Sequence, residues 1–167
     1  RHLHTVESIE ELSNSAKKLV QDGKFEDALL KFRLLMQHLT LVEAFEVDEE
    51  RQLLDFLQTS SYYVLALSMQ IRKKQEDTVG NVAQSIELQC LIPLVPQIEM
   101  NHQFLFLRQA MMGCFKGEQF IDAAVMARNL IQVSGRMAKT PLVEKAAQQA
   151  RGIISRAEEQ GANKYAT

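Results

Sequence analysis

Four histidines are the side chains of this sequence best suited to metal or acid–base chemistry. His2 and His4 form a His-x-His pair that could hold a surface metal ion, but no third ligand lies near them in the sequence, and zinc sites use three or four protein ligands. His38 and His102 lack an i,i+4 histidine partner and the His-Glu-x-x-His pattern of zinc hydrolases. We therefore expect a frayed end at His2 and His4, surface or half-buried histidines elsewhere, and no structural metal or cofactor.

Two aspartates, Asp27 and Asp122, recur 95 residues apart and could form a catalytic carboxylate pair. Each falls in the first turn of a predicted helix, where a carboxylate interacts favourably with the helix dipole. The structural interpretation is the simpler one, because the sequence has no glycine-rich phosphate loop, no nucleophile elbow and no Cys-x-x-Cys motif. We expect no enzymatic activity.

The two cysteines, Cys90 and Cys114, both lie within helical patterns. Two isolated cysteines are not a disulfide framework and are typical of a reducing compartment. We expect two buried thiols in preference to a disulfide.

The aspartates belong to a repeated pattern that indicates helical hairpins. Residues 23–28 read Gly-Lys-Phe-Glu-Asp-Ala and residues 118–123 read Glu-Gln-Phe-Ile-Asp-Ala, and Arg33 and Arg128 follow at the same offset. Ala16, Ala28, Phe32 and Leu35 keep the spacing of a tetratricopeptide-type repeat, in which small residues let two helices pack closely. Such hairpins bury their apolar faces by stacking into solenoids, which mostly bind other proteins.

Apolar spacing and breaking residues predict about seven helices and no sheet. The expected starts are a capping box at Ser8 and Glu11 for the first helix, Asn101 for the fifth and Thr140-Pro141 for the seventh. The second and sixth helices should cover residues 25–39 and 120–133, ending before Thr40 and Ser134-Gly135. The third should run from about Asp48 to Lys74, and a polar turn at residues 75–77 should precede a fourth helix capped by Thr78.

The third helix and the segment after the fourth carry more apolar residues than one buried stripe needs. Leucines and aromatics of the third helix cover more than one face, so we expect it to be buried between two neighbours. Residues 91–96 read Leu-Ile-Pro-Leu-Val-Pro, and the two prolines exclude a regular helix. We expect this segment either to be packed internally or to contact a partner. The candidate contact residues are Leu91, Ile92, Leu94 and Val95.

Length and composition predict a single helical domain over residues 1–167. Hydrophobic residues make up 46% and charged residues 24%, and the net charge of −2 provides no basic surface for nucleic acid. With 7 glycines and 3 prolines the chain has few helix breakers. The longest apolar run, residues 91–96, is too short to insert into a membrane. Because the sequence begins with Arg1, we expect a segment of a longer protein.

Three stretches, in order, resemble the C-terminal domain of the coatomer alpha subunit, over roughly residues 10–155. They are residues 16–33 (Ala-Lys-Lys-Leu-Val-Gln-Asp-Gly-Lys-Phe-Glu-Asp-Ala-Leu-Leu-Lys-Phe-Arg), residues 62–69 (Tyr-Tyr-Val-Leu-Ala-Leu-Ser-Met), and residues 107–130, which carry Leu-Arg-Gln-Ala, Phe-Lys, Phe, Ala-Ala and Ala-Arg-Asn-Leu. Residues 91–96 depart from the more polar segment usual in that family, and the family domain extends beyond both ends of this sequence.

The resemblance implies a non-catalytic part of a cytoplasmic coat, peripheral on Golgi membranes and on COPI-coated vesicles. In that family the C-terminal domain binds the epsilon subunit, itself a tetratricopeptide solenoid, within a coatomer that supports retrograde transport from Golgi to endoplasmic reticulum. The expected partners are therefore the epsilon subunit and other coatomer subunits.

Two other hypotheses remain beside a coat-assembly module. A free-standing tetratricopeptide-like adaptor would bind an extended peptide in a concave groove lined with Asn, Lys and Arg. A helical enzyme would use His38 or His102, for which no motif gives support. An apolar strip around the third helix and residues 91–96 would instead favour stable subunit assembly.

Overall fold

The structure is a computed structural model that describes residues 6–42 and 47–165. Within these ranges the chain forms seven α-helices, one 3-10 turn and no β-strand. The helices are α1 Val6–Gln21, α2 Phe25–Leu39, α3 Val47–Val79, α4 Val82–Leu91, α5 Met100–Lys116, α6 Phe120–Ser134 and α7 Pro141–Gln160, and the 3-10 turn is Ile92–Leu94. The predicted all-α architecture of about seven helices is confirmed.

The repeated sequence pattern produces repeated backbone geometry. Between α1 and α2, Gly23 has φ +76° and Lys24 N–H donates to Leu19 O at 2.9 Å. Between α5 and α6, Glu118 has φ +59° and Gln119 N–H donates to Cys114 O at 2.8 Å. A residue in the left-handed conformation, followed by an N–H that bonds to the carbonyl five residues earlier, commonly ends a helix and lets the chain reverse. The two predicted hairpins are therefore built on the same turn.

A third turn of the same geometry joins α3 to α4. Gly80 has φ +77°, and Asn81 N–H donates to Glu76 O at 2.9 Å. The predicted polar turn at residues 75–77, capped by Thr78, is wrong, because α3 continues to Val79. Ion pairs with i,i+4 spacing, Arg72–Glu76 at 2.7 Å and Lys73–Asp77 at 2.8 Å, stabilise these polar turns as helix.

The other helix ends are close to those predicted. The bounds of α2 match the prediction, Gly117 ends α5, and the Thr140 hydroxyl accepts a hydrogen bond from Val143 N–H at the start of α7. However, α1 begins at Val6 rather than Ser8, and the N-cap residue of α5 is Glu99 rather than Asn101. The histidine pair His2 and His4 lies outside the described residues.

The chain forms two compact units. The first contains the described residues up to Ile71 together with Val95–Ile98. Its core joins the α1–α2 hairpin, where Ala28 is fully buried, to α3 through a stacked pair of Phe32 and Tyr63 rings with centroids 4.6 Å apart. Because these rings fill the space between helices, they hold the α1–α2 hairpin against α3.

The second unit contains Arg72–Leu94 and the chain from Glu99 onward. Helix α6 packs against both α5 and α7, and Ala123 is fully buried between them. Its apolar core is drawn from these three helices and includes Phe104, Leu107, Met111, Cys114, Leu130 and Ile153. Both repeat alanines, Ala28 and Ala123, therefore occupy the tightly packed positions that the pattern predicts.

Candidate protein-interaction surfaces

The structure divides the four predicted contact residues into two buried and two exposed ones. Ile92 and Val95 are only 2% and 7% exposed, whereas Leu91 is 48% and Leu94 is 64% exposed. The 3-10 turn, with Pro93 at its centre, packs against α4 and α5, and both Ile92 and Pro93 are buried. Ile92 is therefore part of the interior, and Leu91 and Leu94 are the residues of this segment that a partner can reach.

The first third of α3 forms the wall of an apolar groove. The groove has a volume of about 320 Å³ and lies between the end of α2 and α3. Its lining consists of Leu39, Thr40, Glu50, Leu53, Leu54 and Leu57. Leu54 is 65% exposed, so the expectation that α3 is buried between two neighbours is wrong for this part of the helix.

This groove has the chemical character of a protein-binding surface. Leu53 and Leu57 are four residues apart and so lie on one face of the helix. Among the described residues of the lining, Glu50 is the one that carries a charge. Burial of exposed leucine side chains stabilises association by about 25 cal/mol for each Å² removed from water. The groove is therefore a candidate surface for the apolar face of another helix.

The outer faces of α2 and α6 are also partly apolar, and they share one equivalent position. Leu30 and Leu34 are exposed on α2, and Ile121 and Val125 are exposed on α6. Leu30 and Val125 are equivalent in the sequence repeat, at the same distance from Ala28 and Ala123. Each pair has i,i+4 spacing, so each helix presents a short apolar strip to its surroundings.

A second groove, of different chemistry, lies between α6 and α7. It has a volume of about 480 Å³, and its lining includes Lys139, Glu144 and Arg151 beside Ile131 and Val143. Both charges and apolar side chains are available there. Such a mixed lining suits a polar peptide better than the apolar face of a helix.

The side chains considered for catalysis belong to different compact units. His38, on α2 in the first unit, is half-buried as expected. His102, near the start of α5 in the second unit, is buried, so the expectation of a surface or half-buried histidine is wrong there. Asp27 is exposed in the first turn of α2, and Asp122 lies in the first turn of α6, so the two aspartates also belong to different units. Across residues 6–42 and 47–165 no group of three or more His, Cys, Asp or Glu side chains could hold a metal ion.

Asp122 has a structural role at the α5–α6 turn. Its carboxylate accepts hydrogen bonds from Gln119 Nε2 at 3.1 Å and from Asn163 Nδ2 at 3.2 Å. The buried Gln119 side chain also donates to Tyr165 O, and Tyr165 N–H donates back to Gln119 Oε1. Asp122 and Gln119 therefore hold the segment that follows α7 against the start of α6.

The two cysteines, far apart in sequence, meet between α4 and α5. Their Sγ atoms are 3.8 Å apart and both thiols are free. Cys114 is fully buried, as expected, but Cys90 is only partly buried. Sequence analysis predicted the two free thiols but not their contact, because nothing in the spacing of Cys90 and Cys114 places α4 on α5.

The described helices include none that is both long enough and apolar enough to cross a membrane.

Comparison with known proteins identifies the family. The family described as the C-terminus of the coatomer (COPI) alpha subunit matches residues 3–166, nearly the whole chain. The chain belongs to this family. The resemblance to the coatomer alpha C-terminal domain, inferred from three ordered stretches of sequence, is thus confirmed.

Individual relatives agree with this family assignment. The chain is 28% identical over 133 residues to the coatomer subunit alpha of Dictyostelium discoideum, covering 75% of this chain and 11% of that protein. It is 28% identical over 151 residues to coatomer subunit alpha-2 of Oryza sativa subsp. japonica, covering 89% of this chain and 12% of the relative. The chain thus spans about an eighth of the length of the coatomer alpha relatives that it matches.

Proposed function

We propose that this chain is a coat-assembly module of the COPI coatomer that binds the epsilon subunit. In this role it supports retrograde vesicle transport from the Golgi to the endoplasmic reticulum, without catalysis of its own. It acts in the cytoplasm, at the surface of Golgi membranes and COPI-coated vesicles, together with other coatomer subunits. Membership of the coatomer alpha C-terminal family supports the proposal, and the helical-hairpin architecture suits a protein that binds another protein.

The observation that carries the proposal is the apolar groove between α2 and α3. It has the apolar character expected of a surface for stable subunit assembly. Leu54, 65% exposed, is the most accessible leucine of the lining. When a partner helix covers a leucine this exposed, its apolar surface is removed from water, and this burial stabilises the complex.

The turn after α4 provides the second contact in the proposal. Leu91 and Leu94 are exposed and serve as contact residues, whereas Ile92 is buried and supports the turn from inside. Val95 is also buried. A charge introduced there would destabilise the fold, so a loss of binding in that variant would not identify a contact. The proposed contacts are therefore Leu91 and Leu94, together with Leu54 and Leu57 of the groove.

Such an interface should be large and insensitive to salt. A stable complex between two helical subunits buries more than about 1,000 Å² in total. Because the chain has a net charge of only −2 and the proposed contacts are leucines, long-range charge attraction contributes little. Binding should then change little when salt screens surface charges.

Co-expression with the epsilon subunit of the same organism, followed by gel filtration, tests the proposal. The two proteins should elute together, and Leu54→Asp and Leu94→Asp should each weaken the complex. Leu142→Asp is the matched control, because Leu142 is exposed in the first turn of α7, where an acidic residue is tolerated. Two folded proteins that elute separately would contradict the proposed function. A complex unaffected by both variants would show that the interface lies on another surface of the chain.

The groove between α6 and α7 supports a second candidate function. Its lining of Lys139, Arg151 and Glu144 beside apolar residues suits an adaptor that binds an extended peptide. Lys139→Glu and Arg151→Glu would then abolish peptide capture while leaving binding of the epsilon subunit unchanged. The coat-assembly proposal predicts that the same two variants have no effect on the complex.

A further inference from the structure

The two cysteines of the chain form a contact that the proposed assembly role does not use. Cys90 lies in the last turn of α4, and Cys114 lies near the end of α5, with 3.8 Å between their Sγ atoms. They are the only cysteines in the sequence. We propose that this pair is an oxidation site, at which a hydroperoxide converts the two thiols to a reversible disulfide between α4 and α5.

The distance between the sulfur atoms is suited to this reaction. A disulfide bond is about 2.05 Å long, so the sulfurs must approach by less than about 2 Å. Rotation about the side-chain bonds together with a small shift of either helix provides a movement of this size. Both residues belong to the same compact unit, and α4 and α5 are in contact. The helices therefore already hold the thiols near bonding distance.

Gln89 and Gly113 shape the surroundings of the pair. Gln89 is buried, and its Nε2 donates to Cys114 Sγ at 3.5 Å. A Cβ atom at position 113 would collide with the side-chain amide of Gln89, so glycine leaves the space that this amide fills. Gly113, the residue before Cys114, therefore leaves room for Gln89, the residue before Cys90, to place its amide donor beside Cys114.

The two thiols differ in accessibility and in acidity. Cys90 is partly exposed, whereas Cys114 is fully buried. The hydrogen bond shared with Cys90, together with the one from Gln89, lowers the pKa of Cys114 against the opposing effect of burial. The hydrogen bond to Cys114, with burial, raises the pKa of Cys90. Cys90 is therefore the sulfur that a small oxidant reaches, and Cys114 is the better thiolate to attack it afterwards.

The reaction balances with a hydroperoxide as the sole oxidant. Cys90 sulfur, as the accessible thiol, attacks one peroxide oxygen, the O–O bond breaks, and the S–H proton is taken up by the leaving oxygen, which departs as alcohol or water. Cys114 thiolate then attacks the sulfur of the Cys90 sulfenic acid, the S–S bond forms, and hydroxide leaves as water after protonation. Two thiols lose two electrons, and the peroxide is reduced to an alcohol or water and one further water.

Mass spectrometry after hydrogen peroxide treatment tests the proposal directly. Trypsin cuts after Lys74, Arg108 and Lys116, so the two cysteines fall on separate peptides, residues 75–108 and 109–116. The oxidised chain should remain monomeric, lose both sites of thiol alkylation together, and yield these two peptides as one linked species. Dithiothreitol should restore both alkylation sites.

Three controls separate a prearranged site from accidental oxidation. The linked species should form faster in the folded chain than in concentrated urea, and it should be absent from Cys114→Ser. Gln89→Ala should slow its formation about fivefold, the effect of losing one hydrogen bond, with circular dichroism checking the fold. Disulfide-linked dimers, or Cys90 oxidised alone while Cys114 remains alkylatable, would overturn the proposal. An unchanged rate in Gln89→Ala would overturn the role given to Gln89.

Discussion

Gly80 and Gly23 adopt the same left-handed backbone conformation, with φ +77° and +76°, at two different helix–helix turns. In each, the next residue donates its N–H to a carbonyl five residues earlier, Asn81 to Glu76 and Lys24 to Leu19. The α3–α4 turn is thus built like the α1–α2 turn, although no Phe-x-Asp-Ala pattern follows Gly80. The same turn geometry therefore occurs without the Phe-x-Asp-Ala pattern.

Gly80→Ala should destabilise the chain by about 1 kcal/mol. A Cβ at this position meets no atom within 4 Å, so the cost comes from forcing alanine into a left-handed conformation. Gly152→Ala is the matched control, because Gly152 lies inside α7 and a Cβ there also meets nothing. That change should stabilise the helix by up to about 1 kcal/mol. Urea denaturation measures both, and equal effects on the free energy of unfolding would contradict the turn assignment.

Ala28→Leu and Ala123→Leu should each destabilise the fold by about 1–3 kcal/mol. Both alanines are fully buried in equivalent hairpins, so added methylene groups force neighbouring side chains and backbone apart. Val125→Leu, at an exposed position of the same helix as Ala123, should change the free energy of unfolding by less than about 0.5 kcal/mol. Chemical denaturation that finds no loss in either alanine variant would argue against close packing at the repeat positions.

Asn163→Ala should weaken the start of α6. The Asn163 Oδ1 atom accepts hydrogen bonds from Ile121 N–H at 2.9 Å and Asp122 N–H at 3.3 Å, as a capping side chain does, although it comes from a distant part of the sequence. Loss of a cap costs about 0.5–2 kcal/mol.

Amide hydrogen exchange measures the effect of Asn163→Ala, which should be largest at Ile121 and Asp122. Lys164→Ala is the control, since its ion pair with Glu118, at 3.4 Å, is exposed on both sides and contributes little. Unchanged protection at both amides in Asn163→Ala would rule out the capping role.

Asp77 should stabilise the α3–α4 turn at neutral pH but not in strong acid. Partial burial alone would raise its pKa, but hydrogen bonds from Lys73 and Ser85 hold the pKa below the ordinary value of 3.8. A folded-state pKa below the unfolded value means that the stabilisation is present above 3.8 and is lost as the pH falls through the folded pKa.

The comparison of Asp77→Asn with the original chain measures this effect. At pH 7 the variant should have a lower urea midpoint. The difference should shrink once the pH is below the folded pKa of Asp77. Ser85→Ala, which removes one of the two donors, should reduce the difference at neutral pH. A difference in urea midpoint that stays constant as the pH falls would contradict a stabilising role for the ionised Asp77 carboxylate.

Helix ends were predicted best from the sequence where a glycine or a Thr-Pro pair marks the break locally. Gly23, Gly117 and Thr140-Pro141 each mark a helix end that the structure confirms. The end of α3 was missed because Glu76 and Asp77 look like turn residues, yet their i,i+4 pairs with Arg72 and Lys73 favour helix. Gly80 was the signal available in the sequence.

The candidate surfaces were harder to predict than the helices. Apolar periodicity shows that α3 has more leucines than one face requires, but which of them faces outward depends on the helices packed around it. Tyr63 is buried against Phe32 while Leu54 is exposed. For the same reason Leu91 and Leu94 could not be separated from Ile92 and Val95 by sequence alone. The contact of Cys90 with Cys114 also depends on tertiary packing.

A binding titration between this chain and the purified coatomer epsilon subunit of the same organism tests whether the two bind through an apolar surface. We expect a saturable complex at micromolar concentration whose affinity changes little between about 0.1 M and about 1 M salt. Leu54→Asp should reduce the affinity, and Leu142→Asp should not. Two folded proteins that produce no binding signal at micromolar concentration, or a complex that salt dissociates, would contradict an apolar assembly interface.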